Sequence, residues 1–247
     1  MIGILDSGLG GLTTLDYLHR KHPEVSFLAL ADQKQAPYGD KSKAEVYKIT
    51  KSNLEWFQAQ GIKQVIIACN TLCSTVIEEL KPQFPNLELV NIVSLTLDYL
   101  KKEKLSSLLI IGTKLCISAG VYEKELRGYF PEAKIMSEAT PEFVPEIEAG
   151  KDRQTIQTSA DTYLHGYRGK IEAVLLGCTH YPLIGKEIYN ALPVKQYDAN
   201  LAIEKRMSFI PEKNPQILIY TSGNPEVTKK QIKQLFDFEM EVRVKEV

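Results

Sequence analysis

Apolar residues are laid out along this chain in two alternating ways. Short unbroken or nearly unbroken runs cover 2–5, 25–31, 64–68, 87–92, 107–111, 133–137, 172–177, 194–197 and 215–221. Runs of this length, bounded by turn residues, predict strands buried on both faces of a parallel sheet. Between them the apolar positions recur at helical spacing. Helices are predicted up to about His22, from Ser42 to about Gln60, over 72–82 and over 94–103. Others run through Cys116, Ser118 and Tyr122, from about Arg153 to Tyr167, over 182–191 and up to about Phe236, before a last short strand. Ser42 is placed to cap the second helix. Strand alternating with helix throughout predicts an α/β fold with helices on both faces of its sheets. The first unit is short of strands, so the tail is expected to return to it. The expected domains are 1–92 with 206–247, and 93–205.

Two of the runs end in the same device. Val65-Ile66-Ile67-Ala68 leads into Cys69-Asn70-Thr71, and Val174-Leu175-Leu176-Gly177 leads into Cys178-Thr179-His180. Polar residues at the C-terminal end of a parallel strand stand where α/β sheets place ligands. Asn70-Thr71 and Thr179 are candidates to cap the following helix, turning free N–H groups toward an anion. A single buried Cys more often fills space than reacts. Repetition of strand, Cys and Thr points instead to a pair of acid/base groups facing one substrate.

The first strand ends in Asp6-Ser7-Gly8-Leu9-Gly10-Gly11. This Gly-rich turn lets backbone approach a ligand, but its spacing fits neither the dinucleotide fingerprint nor a Walker loop. Asp6 is either a helix cap or a chemical group. Pro37-Tyr38-Gly39, in the polar loop after the second strand, reads by itself as a turn.

Composition narrows the class. Hydrophobic residues are 44%, charged residues 25% and the formal net charge −1, which fits a soluble globular protein and supplies no basic field for nucleic acid or an anionic membrane. No apolar run is long enough to span a bilayer, and the N-terminus lacks a basic segment, so no signal peptide is expected. Cys69, Cys73, Cys116 and Cys178 lack zinc-ligand spacing and sit in long cores, so reduced thiols in a cytoplasmic protein are expected, with no metal site.

Taken together, the motifs resemble those of the cofactor-independent glutamate racemases, in the aspartate/glutamate racemase superfamily. They are Ile4-Leu5-Asp6-Ser7-Gly8-Leu9-Gly10-Gly11, Ala36-Pro37-Tyr38-Gly39, Ala68-Cys69-Asn70-Thr71, Gly112-Thr113 with Ser118 and Tyr122, Phe143-Val144-Pro145 with Glu148, and Leu176-Gly177-Cys178-Thr179-His180-Tyr181-Pro182-Leu183. The resemblance runs over nearly the whole chain. It implies two parallel-sheet α/β domains related by pseudo-twofold symmetry, with the active site in the cleft between them. It implies Cys69 and Cys178 as the two bases, assisted by Asp6 and His180. Asp6, Ser7, Tyr38, Gly39, Asn70, Thr71, Thr113, Thr179 and His180 are implied to bind glutamate. It further implies a homodimer, no cofactor and a role in supplying D-glutamate for peptidoglycan. Members with an N-terminal extension are activated by a cell-wall precursor. This chain starts at its first strand, so that activation is not expected. Departures from the family pattern, at Asp32-Gln33-Lys34-Gln35, Leu72-Cys73, Asn91-Ile92-Val93-Ser94, Cys116 and Thr140, bear on substrate breadth, rate and regulation rather than on the acids and bases.

Racemisation removes an α-proton from one face and returns one to the other. Thiols suit both steps, because their ordinary pKa of about 8.5 falls near helix N-termini and cations. Each Cys would be thiolate in one direction and thiol in the other. Hydroxyls and N–H groups at Ser7, Asn70-Thr71 and Thr179 would hold the carboxylate as charge develops. Two alternatives remain: a racemase of a related acid such as aspartate, and a non-catalytic glutamate-binding relative.

Overall fold

The computed structural model describes residues 1–236 and 240–245. In chain order its elements are β1 (Ile2–Asp6), α1 (Gly11–Lys21), β2 (Phe27–Ala31), α2 (Lys43–Ala59), β3 (Gln64–Ile67), α3 (Asn70–Thr75), α4 (Ile77–Leu80), β4 (Glu88–Asn91) and α5 (Ile92–Leu100). Then come β5 (Ser107–Gly112), α6 (Lys114–Ala119), α7 (Val121–Tyr129), β6 (Lys134–Ala139), α8 (Phe143–Glu148), α9 (Arg153–Leu164), β7 (Ala173–Gly177), α10 (Gly185–Ala191) and β8 (Lys195–Tyr197). The tail holds α11 (Ala199–Arg206), β9 (Ile217–Thr221), α12 (Pro225–Phe236) and β10 (Val242–Val244).

The strands form two parallel sheets. One has the order β10-β9-β2-β1-β3-β4, the other β6-β5-β7-β8. The chain is thus built from two parallel-sheet α/β domains. All five residues of β1, β2 and β7 are buried, as expected for inner strands covered by helices on both faces. The central strands β1 and β7 end at Asp6 and Gly177, so their C-terminal edges deliver the Asp6 turn and Cys178 to one place. The tail's β9 pairs β2 in register, Phe27 opposite Ile217 and Ala31 opposite Thr221.

Local chemistry explains where elements depart from expectation. The helix expected over 72–82 is split into α3, α4 and a 3₁₀ turn at Lys81–Gln83. Its break is Val76, φ −126° and ψ −19°, inside the β-branched run Thr75-Val76-Ile77, where side chains crowd the preceding turn. Thr75 also donates to the Thr71 carbonyl at 2.6 Å, a back-bond that bends helices. Gly120, at φ +67°, divides α6 from α7, a conformation glycine adopts without steric cost. The helix expected from Ser94 begins at Ile92, because the Asn91 side chain caps it by accepting from the N–H groups of Val93 and Ser94 at 3.0 and 3.1 Å. Two short helices, α8 and α11, fall where no helix is predicted from the sequence. In α11 the buried face includes Asn200, whose Oδ1 accepts from Thr14 at 2.9 Å, so a polar residue breaks the apolar stripe that would have marked it.

Candidate active site

The two cysteines stand at matching places, Cys69 just beyond β3 and Cys178 just beyond β7. Each is almost buried, at 5% and 7% exposure. They line one small cavity in the cleft between the two sheets. Asp6, Ser7, Tyr38, Gly39, Asn70, Thr71, Thr113, Thr179 and His180 line the same cavity. All eleven residues expected to act on or bind the substrate therefore line one cavity. Pro37, Val144 and Gly177 complete the wall. Cys73 and Cys116 are not part of it. Cys73 donates to the Ile67 carbonyl at 3.2 Å, and Cys116 to that of Gly177 at 3.7 Å.

Asn70, Thr71 and Thr179 do not cap helices with their side chains. Cys69 occupies the N-cap position of α3 and makes no side-chain capping bond. The Asn70 amide oxygen accepts from the Tyr122 hydroxyl at 2.7 Å. Thr71 and Thr113 share a hydroxyl–hydroxyl bond of 3.0 Å. Thr179 donates to Asp6 Oδ2 at 2.9 Å. These side chains tie the two sheets together across the cleft. Nor does Asp6 cap α1, whose N-cap is Gly10 without a side-chain bond. Asp6 instead accepts from the Ser7 N–H at 2.6 Å.

On one side of the cavity, Cys69 Sγ lies 3.8 Å from Ser7 Oγ, beside Asp6. Burial pushes the Asp6 carboxyl up, against the His180 charge and the donors Thr179, Ser7 and Cys69. Burial, with the nearby Asp6 charge, also pushes the Cys69 thiol well up. On this side a buried thiol whose ionisation is disfavoured stands next to a carboxyl of raised basicity.

On the other side, Cys178 Sγ lies 3.7 Å from His180 Nδ1, and His180 Nε2 lies 2.8 Å from Glu148 Oε1. Burial disfavours the imidazolium, but hydrogen bonds to Cys178 and Glu148 outweigh it and hold His180 well above its ordinary range. Burial disfavours the Glu148 carboxylate, yet His180 and the Leu9 N–H hold it below the usual range. Glu148 appeared in the family-like motif without a role. The structure gives it two: it orients His180 and accepts from the Gly-rich turn of the opposite sheet at 3.0 Å. A carboxylate in a run of Pro and Glu carries no local signal for either. Asp32 was missed likewise. It accepts from the Tyr38 hydroxyl and from Asn53 at 2.9 Å, fixing the Pro37-Tyr38-Gly39 loop over the cavity.

The His180–Glu148 pair makes a pH prediction. His180 is raised on folding, so its contribution to stability is complete below its unfolded pKa of about 6.5 and fades as pH rises through the raised folded value. Glu148 is lowered, so its contribution is complete above about pH 4.3 and fades as pH falls through the depressed folded value. Glu148→Gln should lower Tm across the neutral range and move the alkaline loss of stability to lower pH. Superimposable Tm–pH curves for the two proteins would refute the pairing.

Comparison with known proteins adds independent weight. A family model described as Asp/Glu/Hydantoin racemase matches residues 14–205. A glutamate racemase of Aquifex aeolicus is 32% identical over 247 residues, covering 98% of this chain and 96% of its own. The solved glutamate racemase of Francisella tularensis in complex with D-glutamate superposes with TM-score 0.87 at 26% identity, over 100% of this chain and 96% of that one. That of Thermus thermophilus, in complex with β-chloro-D-alanine, superposes with TM-score 0.85 at 28% identity, again over 100% and 96%. Matched over most of its length by the family model and over nearly all of it by these relatives, the chain belongs to the Asp/Glu/hydantoin racemase family.

Proposed function

We propose that this protein is a glutamate racemase that interconverts L- and D-glutamate by two-base proton transfer between Cys69 and Cys178, without a cofactor. The observation that carries this reading is two cysteines from different domains on one small cavity, each beside its own acid/base partner. In one direction a thiolate takes the α-proton and the opposite thiol protonates the other face. The reverse direction exchanges the roles. Asp6 assists Cys69, and His180, oriented by Glu148, assists Cys178. Asn70 and the hydroxyls of Ser7, Thr71, Thr113 and Thr179, all on the cavity wall, are suited to hold the substrate carboxylates where charge builds. Tyr38 and Gly39 close the cavity. An ideal Cβ on Gly39 would lie 2.9 Å from the Thr113 Cβ, which leaves little space for a side chain there. The relatives named glutamate racemase support glutamate as the substrate, and with it a role in supplying D-glutamate for peptidoglycan.

The same reading takes 1–92 with 206–247 as one domain and 93–205 as the other. The pairing of β9 and β10 into the first sheet supports it; residues 237–239 and 246–247 of that division lie outside the described residues. A homodimer in the cytoplasm belongs to the reading too. Four free cysteines suit a reducing compartment, and among the described residues no helix is long and apolar enough to cross a membrane.

The test is L-glutamate incubated in heavy water with metal-free, cofactor-free protein and stopped early. D-glutamate should form carrying deuterium at Cα, while recovered L-glutamate stays mostly protiated. Original protium retained in the product would point to a single shared base. Conversion of aspartate in place of glutamate would shift the substrate, and binding without exchange would end the reading.

A further inference from the structure

Another pocket, with three lysines in its wall, opens on the same edge of the first sheet, away from the cysteines. It is lined by Lys34, Lys48 and Lys245, with Asp32, Ser52 and Asn53 among its other walls. Asp32 follows β2, Ser222 follows β9 and Lys245 follows β10. The pocket therefore crosses the C-terminal ends of three adjacent parallel strands, the edge on which α/β sheets bind ligands. The active cavity takes Asp6 and Cys69 from the ends of β1 and β3 of that sheet, and Asp32, which anchors Tyr38, stands between it and this stretch.

Its charge is unbalanced. The one carboxylate, Asp32, already accepts from Tyr38 and Asn53 on Oδ2 and from Ser222 on Oδ1, the last at 2.5 Å. Lys245 Nζ donates to the neutral Asn53 Oδ1 at 2.5 Å, and its partial burial pulls its pKa down. Lys34 and Lys48 are exposed on the rim; Lys48 has Glu45 as a charged neighbour on its own helix, but three ammonium groups still outnumber the single carboxylate among the lining residues. Three ammonium groups are compact point charges with rotatable donors. They suit a tetrahedral dianion better than the planar fork of a carboxylate, for which Arg is the matching donor.

We propose that this pocket is a binding site for a phosphate group, carried as inorganic phosphate or as a phosphomonoester, held by Lys34, Lys48 and Lys245 and separate from the glutamate cavity. The site stands whether or not the chain racemises glutamate, because its readout is binding.

Calorimetric titration of the full chain with inorganic phosphate and with glycerol 3-phosphate tests it. One anion should bind per chain, and the tighter of the two names the source. Binding should persist in saturating glutamate. The double variant Lys34→Ala, Lys48→Ala removes two exposed side chains and should fold normally, which circular dichroism checks. It should weaken binding by roughly tenfold or more for each charge lost. Lys245→Met should weaken it likewise. No binding of either anion to the native protein overturns the proposal. So does an apparent Kd that climbs with glutamate without levelling off, which would place the anion in the glutamate cavity. Equal weakening by Lys124→Ala with Lys134→Ala, on the other domain, would overturn it as unspecific charge attraction.

Discussion

Cys69→Ser and Cys178→Ser are each expected to abolish racemisation while keeping half of the chemistry, on opposite enantiomers of the substrate. A Ser hydroxyl is far less acidic than a thiol, so the substituted side neither takes nor returns the α-proton. Loss of one positioned acid/base group costs about 10²–10⁴-fold in rate. Elimination from β-chloroalanine needs only one base on one face. The surviving thiolate removes the α-proton, chloride leaves Cβ, and the resulting aminoacrylate hydrolyses to pyruvate and ammonia. The cavity separates the bases to two sides, Cys69 with Asp6 and Ser7, Cys178 with His180. Each variant should therefore produce pyruvate from one enantiomer of β-chloroalanine, and the two variants should prefer different enantiomers. A coupled pyruvate assay reads this out. Preference for the same enantiomer in both variants would falsify the facing-base assignment.

Gly10→Ala should lower kcat/KM by about 10²-fold, the cost of moving a catalytic group by roughly an ångström, while leaving the protein folded. Gly10 has φ −57° and ψ −37°, a right-handed conformation that alanine adopts without strain. The obstacle is its neighbours. A Cβ there would lie 2.4 Å from His180 Nδ1, 2.4 Å from Thr179 Oγ1 and 2.7 Å from Asp6 Oδ2. No backbone atom is among those nearest contacts, so the functional side chains must move. His180 would be drawn from Cys178, and Thr179 from Asp6. Activity should fall in both directions with a modest change in Tm. Full activity would mean that His180 and Asp6 need not hold these positions. A collapse of Tm alongside activity would mean that the turn is packed mainly for stability.

The fold was legible because its strands carry their own signal. The unbroken apolar runs at β1, β2, β3 and β7 announce strands covered on both faces, and their alternation with helices leaves parallel pairing as the simplest arrangement. Short helices were less legible. α11 hides its buried face behind Asn200, whose partner Thr14 is far away in sequence. The split of α3 from α4 depends on a β-branched run that helical spacing alone passes over.

The candidate site divides in the same way. Cys69 and Cys178 could be singled out because each follows a buried strand at the sheet edge where ligands gather, and because the device occurs twice. The sequence by itself determined the chemistry offered: two thiols, a carboxylate after the first strand, an imidazole two residues beyond the second thiol. Tertiary structure alone decided the partnerships. That Thr179 serves Asp6 rather than a helix, that Glu148 holds His180 while gripping the Leu9 N–H, and that Asp32 anchors Tyr38 depend on which groups meet at burial. The physical reason is that a buried polar atom takes whatever partner satisfies it, and three-dimensional proximity, not sequence spacing, supplies that partner.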